Sequence, residues 1–185
     1  MQSQPINVDS NAANVMDASN LQANSHEQYL TFIMADEEYG VDILAVQEIR
    51  GWENATPLPN APPHIKGVIN LRGTIVPLVD LRKCFGMDTI EYTAITVVIV
   101  LKVETEKGSR VMGIVVDAVS DVYALADKDL RAAPDLGSSI NTEVIKGLVN
   151  VDDKLVILLD IDKLLDLDSL PNLSELQQQL AGSEE

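Results

Sequence analysis

Between residues 29 and 159 the chain breaks into short apolar runs of strand length, each bounded by Gly, Pro, Asp or Asn. The runs are built from Val and Ile, the residues that suit a pleated, half-buried surface. The pattern predicts strands at Tyr29–Ala35, Glu38–Val41, Ile65–Leu71, Thr74–Val79 and Thr93–Val103, then at Arg110–Val116, Val119–Leu125, Ile145–Val151 and Leu155–Leu159.

 The last of these, Leu155–Leu159, closes the β-rich region. Asp36-Glu37 reads as a tight polar turn between the first two strands, and Arg72-Gly73 as the two-residue loop of a hairpin. Asp42–Arg50 is open: Ile43, Val46 and Ile49 recur at helical spacing behind an Asp N-cap, yet the piece is short. Asn172–Leu180, with Leu173, Leu176 and Leu180 on one face, reads as an amphipathic helix.

The apolar runs repeat. A shift of 80 residues sets Ile65-Lys66-Gly67 and Asn70 on Ile145-Lys146-Gly147 and Asn150, and Val76, Leu78 and Asp80 on Val156, Leu158 and Asp160. A second, fainter match at a shift of 73 sets Gly40-Val41, Ala45-Val46 and Glu48-Ile49 on Gly113-Ile114, Ala118-Val119 and Asp121-Val122. Two similar units of about 60 to 70 residues in tandem account for both matches. Such small units of about five short strands predict an all-β fold of two little barrels that share an interface, with short helical turns and a C-terminal helix.

Residues 1–26 are rich in Asn, Ser and Gln without periodicity, and are expected to be a mobile tail; the folded part spans 27–168, and 169–185 form a C-terminal helix and tail. The 185 residues include 13 Lys and Arg against 29 Asp and Glu, for a net charge of −16. That field disfavours nucleic acid and anionic membranes as partners. The longest apolar run, Val97–Leu101, is far short of the roughly 20 residues that span a bilayer. With no secretory signal and one cysteine, a soluble, reduced, cytoplasmic protein is expected. Residues 50–83 depart from the acidic background: Arg50, Lys66, Arg72, Arg82 and Lys83 face only Glu53 and Asp80, a patch suited to an acidic protein segment.

Catalytic patterns do not emerge. His26 falls in the tail and His64 in the Pro62-Pro63-His64 loop, and no nucleophile elbow, phosphate loop or metalloprotease motif occurs. Cys84 lies between aliphatics and reads as a packing residue. Asp36-Glu37-Glu38 lacks the spaced oxygens of a calcium loop and reads as a solvated turn. Asp80 and Asp160 read as paired helix N-caps. No metal, cofactor or enzymatic activity is expected.

Several motifs together resemble a known family. Asp36–Leu44 (DEEYGVDIL), Val46–Gly51 (VQEIRG), Ile65–Gly73 (IKGVINLRG), Ile75–Arg82 (IVPLVDLR) and Val111–Val122 (VMGIVVDAVSDV) resemble, in order, the CheW coupling-protein family of bacterial chemotaxis. The resemblance spans roughly residues 27–167. It implies two five-stranded SH3-like barrels and a non-enzymatic adaptor linking the regulatory domain of the histidine kinase CheA to chemoreceptor cytoplasmic tips. It further implies recruitment to membrane-apposed arrays without membrane insertion, and ring contacts between copies of the adaptor. The family's receptor-facing groove maps to Val46, Glu48, Gly67, Arg72 and Val98, and its kinase-contact segment to Arg131 and Leu136 within Leu130–Leu136. Glu48 and Arg72 are expected to act as a pair, because Arg72 faces Asp152 in the repeat alignment and so stands out from the barrel frame.

Overall fold

The β-branched runs form ten strands among the described residues, 26–134 and 142–166 of a computed structural model. They are β1 (His26–Met34), β2 (Glu37–Asp42), β3 (Val46–Gly51), β4 (Ile65–Leu71) and β5 (Thr74–Asp80) in the first half. The second half holds β6 (Val97–Thr105), β7 (Gly108–Val116), β8 (Ala118–Ala126), β9 (Ile145–Val151) and β10 (Lys154–Leu159). Short helices at Leu81–Cys84 and Ile161–Leu165 follow β5 and β10, and the Asp80 and Asp160 carboxylates cap them by accepting from the backbone N–H of Lys83 and Lys163.

Four local expectations change. His26 belongs to β1, not to a tail, because it pairs with Ala126 of β8. The β1–β2 turn is Ala35-Asp36, both in the left-handed region with φ of 49° and 66°, so Glu37 and Glu38 are strand residues. Asp42 caps only a single 3-10 turn, Ile43–Ala45, after which Val46–Gly51 runs as a strand with alternating burial. β6 starts at Val97, since Thr93–Thr96 close a turn in which the Thr93 N–H donates to Thr96 Oγ1 at 2.8 Å. The expected helix at 172–180 and the tail at 1–25 lie outside the described residues.

The strands form two five-stranded sheets, ordered β8-β1-β2-β10-β9 and β3-β6-β7-β5-β4. The repeat therefore runs in tandem along the chain but not in space. β1–β2 correspond to β6–β7, β3 to β8, and β4–β5 to β9–β10, and each sheet combines the hairpin of one repeat with the three strands of the other. The exchange lies at two short connections, the 3-10 turn between β2 and β3 and Asp117 between β7 and β8, where the chain does not turn back into a hairpin. Each strand instead crosses to the neighbouring sheet. We call the sheet holding β1 and β10 the terminal barrel and the one holding β3–β7 the middle barrel.

Matching contacts recur in both barrels. Gly40 of β2 lies beside Leu158 of β10 in a parallel pairing, and Gly113 of β7 lies beside Leu78 of β5 in another. A Cβ at Gly40 would sit 2.8 Å from Leu158 Cδ2, and one at Gly113 would sit 2.5 Å from Leu78 Cδ2, so both leucines fill the space of a missing side chain. Lys66 and Lys146 are bulge residues in β4 and β9, and each carries its ammonium over a tyrosine ring, Tyr92 at 4.9 Å and Tyr29 at 5.1 Å.

Strands β1 and β6 are covered on both faces. Leu30, Phe32 and Met34 alternate with Tyr29, and Ile99, Leu101 and Val103 alternate with Val98 and Val100. One set from each strand meets in a core shared between the sheets, while the other fills its own barrel. This double burial explains why Val97–Leu101 shows no polar alternation. Cys84 packs against the shared core, where burial first and the Asp80 charge second push its thiol up to about 12, leaving it an inert thiol at neutral pH.

One corner of the shared interface is latched. Arg82 donates through Nε and Nη2 to the two carboxylate oxygens of Asp117, at 2.8 and 2.5 Å, while the Ala35 N–H donates to Asp117 Oδ2 at 2.9 Å. This fork joins the helix after β5, the β7–β8 corner and the β1–β2 turn. Burial, the largest single influence, raises the Asp117 pKa. The Arg82 hydrogen bond, the Ala35 N–H and the Arg82 charge together outweigh it and hold the carboxyl below its usual range.

Candidate partner-binding surface

β3 and β4 are the two edges of the middle sheet, and its curl brings them toward each other. Glu48 projects from β3, and Arg72 stands on the β4–β5 turn with φ 49°. Arg72 Nη2 donates to Glu48 Oε2 at 2.7 Å, so the pair closes the mouth of the barrel from edge to edge. Arg50, two residues along the same face of β3, lies 3.8 Å from Glu48 Oε1 and donates to Glu53 at 3.0 Å. The Arg72 side chain is 76% exposed and that of Glu48 only 26%, so a carboxylate is held at the rim while a guanidinium reaches outward over it. Ile49, between Glu48 and Arg50, is 46% exposed on the opposite face of the strand.

The other residues expected at a receptor-facing groove do not all share this exposure. Val46 is half-buried at the start of β3 and packs against the shared core. Val98, 2% exposed, is part of the middle barrel's interior with Val76, Leu78 and Val100. An apolar run in sequence does not distinguish the two faces of a strand that is covered on both.

Gly67 is likewise buried and has a structural task. Its φ is 137°, and a Cβ there would collide with the backbone carbonyl of Thr56. That close approach lets Thr56 and Val68 exchange two backbone hydrogen bonds of 2.9 Å, which pin the 52–64 connection to the middle barrel. Beside it Trp52 and Tyr92 pack at 4.3 Å, and the Tyr92 hydroxyl donates to Asp80 at 2.5 Å. Burial, then this bond, push the Tyr92 phenol up, so it stays a neutral donor.

On the terminal barrel, Arg131 is exposed and exchanges two 2.8 Å backbone hydrogen bonds with Leu148, the counterpart of the Thr56–Val68 bridge. Its segment is thus anchored by its backbone while the side chain stays at the surface. Leu136 lies outside the described residues. Among the described residues no three His, Cys, Asp or Glu side chains are grouped to hold a metal ion, and no helix is long and apolar enough to cross a membrane.

Sequence reasoning found the Glu48–Arg72 pair but missed the Arg82–Asp117 fork, whose partners lie 35 residues apart. The repeat alignment carries the signal: Arg82 stands opposite Asp162 and Asp117 opposite Leu44, two departures from symmetry at one corner.

The CheW-like domain family matches residues 28–169. A protein of Klebsiella aerogenes named chemotaxis protein CheW is 48% identical over 139 residues, which is 75% of this chain and 81% of that protein. A Rhizobium meliloti protein of the same name is 40% identical over 139 residues, 75% of this chain and 87% of the relative. Among solved structures, the scaffolding protein TtCheW of Thermoanaerobacter tengcongensis superposes with a TM-score of 0.69 at 29% identity, covering 80% of this chain and 93% of that one.

Proposed function

This chain belongs to the CheW-like domain family, and on that premise we propose that it couples the cytoplasmic tips of chemoreceptors to the histidine kinase CheA. It is a chemotaxis scaffold and not an enzyme. Its part in signalling is therefore differential binding: it holds kinase and receptor in one geometry, and control equals the difference in binding free energy between receptor states.

The observation that carries this reading is the Glu48–Arg72 pair at the mouth of the middle barrel. It offers a partner a fixed, outward guanidinium that can take a carboxylate bidentately, which a lysine does not reproduce. The receptor contact is assigned to Glu48 and Arg72 with Val46 beside them. Gly67 and Val98 act beneath that surface by shaping the barrel. The kinase contact is assigned to Arg131 on the other barrel, with Leu136, outside the described residues, as its apolar anchor. Two contacts on separate barrels allow both partners to be held at once, and ring contacts between copies would use the same barrel ends.

The test is co-sedimentation of the full chain with a purified CheA regulatory domain and a receptor cytoplasmic fragment. The expected result is a ternary complex from which Arg72→Gln removes chiefly the receptor fragment and Arg131→Asp chiefly the kinase domain. Binding of neither partner by the unaltered, folded chain would overturn the reading.

A further inference from the structure

The repeat equates positions in the two barrels, and at the mouths their chemistry diverges. In the middle barrel the mouth holds Glu48, Arg50 and Arg72, with Val111 inside. Their counterparts in the terminal barrel are Asp121, Tyr123, Asp152 and Glu38. One carboxylate between two guanidiniums is replaced by three carboxylates and a phenol. The position equivalent to Arg72 is held on this side by Asp152.

Glu38 makes the difference consequential. It lies on the inward face of β2, two residues before Gly40, paired in register with Ile33 and Val156. Only 8% exposed, it carries an Oε1 that is buried and without a hydrogen-bond partner. A buried carboxylate oxygen left unsatisfied is costly, and structures normally supply it with a donor. Asp121 and Asp152 share the neighbourhood: after burial, the charges of Glu38, Asp121 and Asp152 all push the Tyr123 phenol up.

We propose that the mouth of the terminal barrel is an acceptor site for an arginine side chain of a partner polypeptide. A guanidinium suits the site better than a metal ion. The carboxylates come from separate strands and a turn and form no metal-binding group, whereas a long, planar, five-donor fork can reach several of them. The middle barrel shows the arrangement already made within one chain, by Arg72 over Glu48. The partner's arginine would complete the terminal barrel in the same way. The site is separate from the Glu48–Arg72 surface and does not depend on the role assigned to it.

The test follows backbone amide signals of the full 15N-labelled chain during titration with acetyl-Leu-Arg-Leu-amide and, separately, with acetyl-Leu-Gln-Leu-amide and with calcium chloride. Shifts are expected at residues 121–123 and 152–155, with the arginine peptide binding about fivefold or more tighter than the glutamine peptide and weakening as salt is raised. Glu38→Gln and Asp121→Asn should each weaken it about fivefold. Asp152→Arg should abolish binding in a folded protein, because Arg72 already occupies the equivalent turn position at the same φ of 49° as Asp152. Equal affinity for the two peptides would overturn the proposal. So would stronger perturbation of these signals by calcium, or undiminished binding to the Asp152→Arg variant.

Discussion

The two barrels are built from equivalent strands in the same order, yet their mouths are finished differently. The middle barrel is closed by an ion pair between its edge strands, Glu48 with Arg72. The terminal barrel has Asp121 and Asp152 at those positions, and like charges do not close a mouth. The corners of the shared interface diverge as well. At one, Arg82 and Asp117 form a partly buried fork that also takes the Ala35 N–H. At the other, Asp162 accepts from the Glu104 N–H at 2.9 Å without a guanidinium, and Leu44, in the place of Asp117, is 89% exposed. What the halves share is frame: the Gly40–Leu158 and Gly113–Leu78 approaches, the bulge lysines and the capping aspartates. What they do not share is where surface chemistry has been placed on that frame.

The largest effect should come from breaking the latched corner. Arg82→Ala leaves the Asp117 carboxylate in a largely buried site and should cost about 3 kcal/mol, whereas Asp162→Ala, at the equivalent corner, should cost less than about 1 kcal/mol. Chemical denaturation of both variants gives the comparison. The Asp117 pKa is lowered by folding, so the stability it contributes is present above its unfolded value and lost as pH falls through the folded one. The gap between the unaltered chain and Arg82→Ala should therefore be full at pH 7 and shrink below about pH 4.

The shared frame should respond alike in both halves. Gly113→Ala and Gly40→Ala each push a methyl group into a leucine and should cost about 1–3 kcal/mol, with Gly113 the worse because its approach is 2.5 Å rather than 2.8 Å. A cost confined to one of the two would show that the repeat is not a structural symmetry. The smallest effect should come from finishing the terminal mouth: Asp152→Arg removes a like-charge contact and adds a pair with Asp121, raising stability by about 0.2–1 kcal/mol. Calorimetry would register this as a rise of a few degrees in Tm at most.

Local structure was largely legible. Ile65–Leu71 and Ile145–Val151 occupy the spans their apolar runs predict, and Asp80 and Asp160 cap as their positions suggest. β3 was ambiguous because Asp42 does cap a helical turn, and Ile43, Val46 and Ile49 keep helical spacing across the point where the turn becomes a strand. The hairpin exchange was not legible, because a repeat establishes which residues are equivalent but not which strands pair. The Glu48–Arg72 pair was legible from the family-like motifs that hold both residues, together with the break in the repeat at Arg72. The burial of Val98 was not legible because each face of β6 is apolar, and burial on both leaves no polar residue to mark the inside. The Glu38 site lay hidden for the opposite reason: it opens the expected strand Glu38–Val41 inside an acidic run that reads as solvated, and only the register of β2 turns it inward.

The central claim is that the chain uses the middle barrel's mouth to bind and not merely to hold itself together. A double-mutant cycle with Glu48→Gln, Arg72→Gln and both together, read once as folding stability and once as affinity for a receptor cytoplasmic fragment, tests it directly. With Arg72 mostly exposed, the coupling in stability should be about 0.2–1 kcal/mol, while the coupling in the complex should reach about 2–5 kcal/mol as the partner desolvates the pair. Coupling of the same small size in both readouts, with receptor affinity unchanged by Arg72→Gln, would contradict the account.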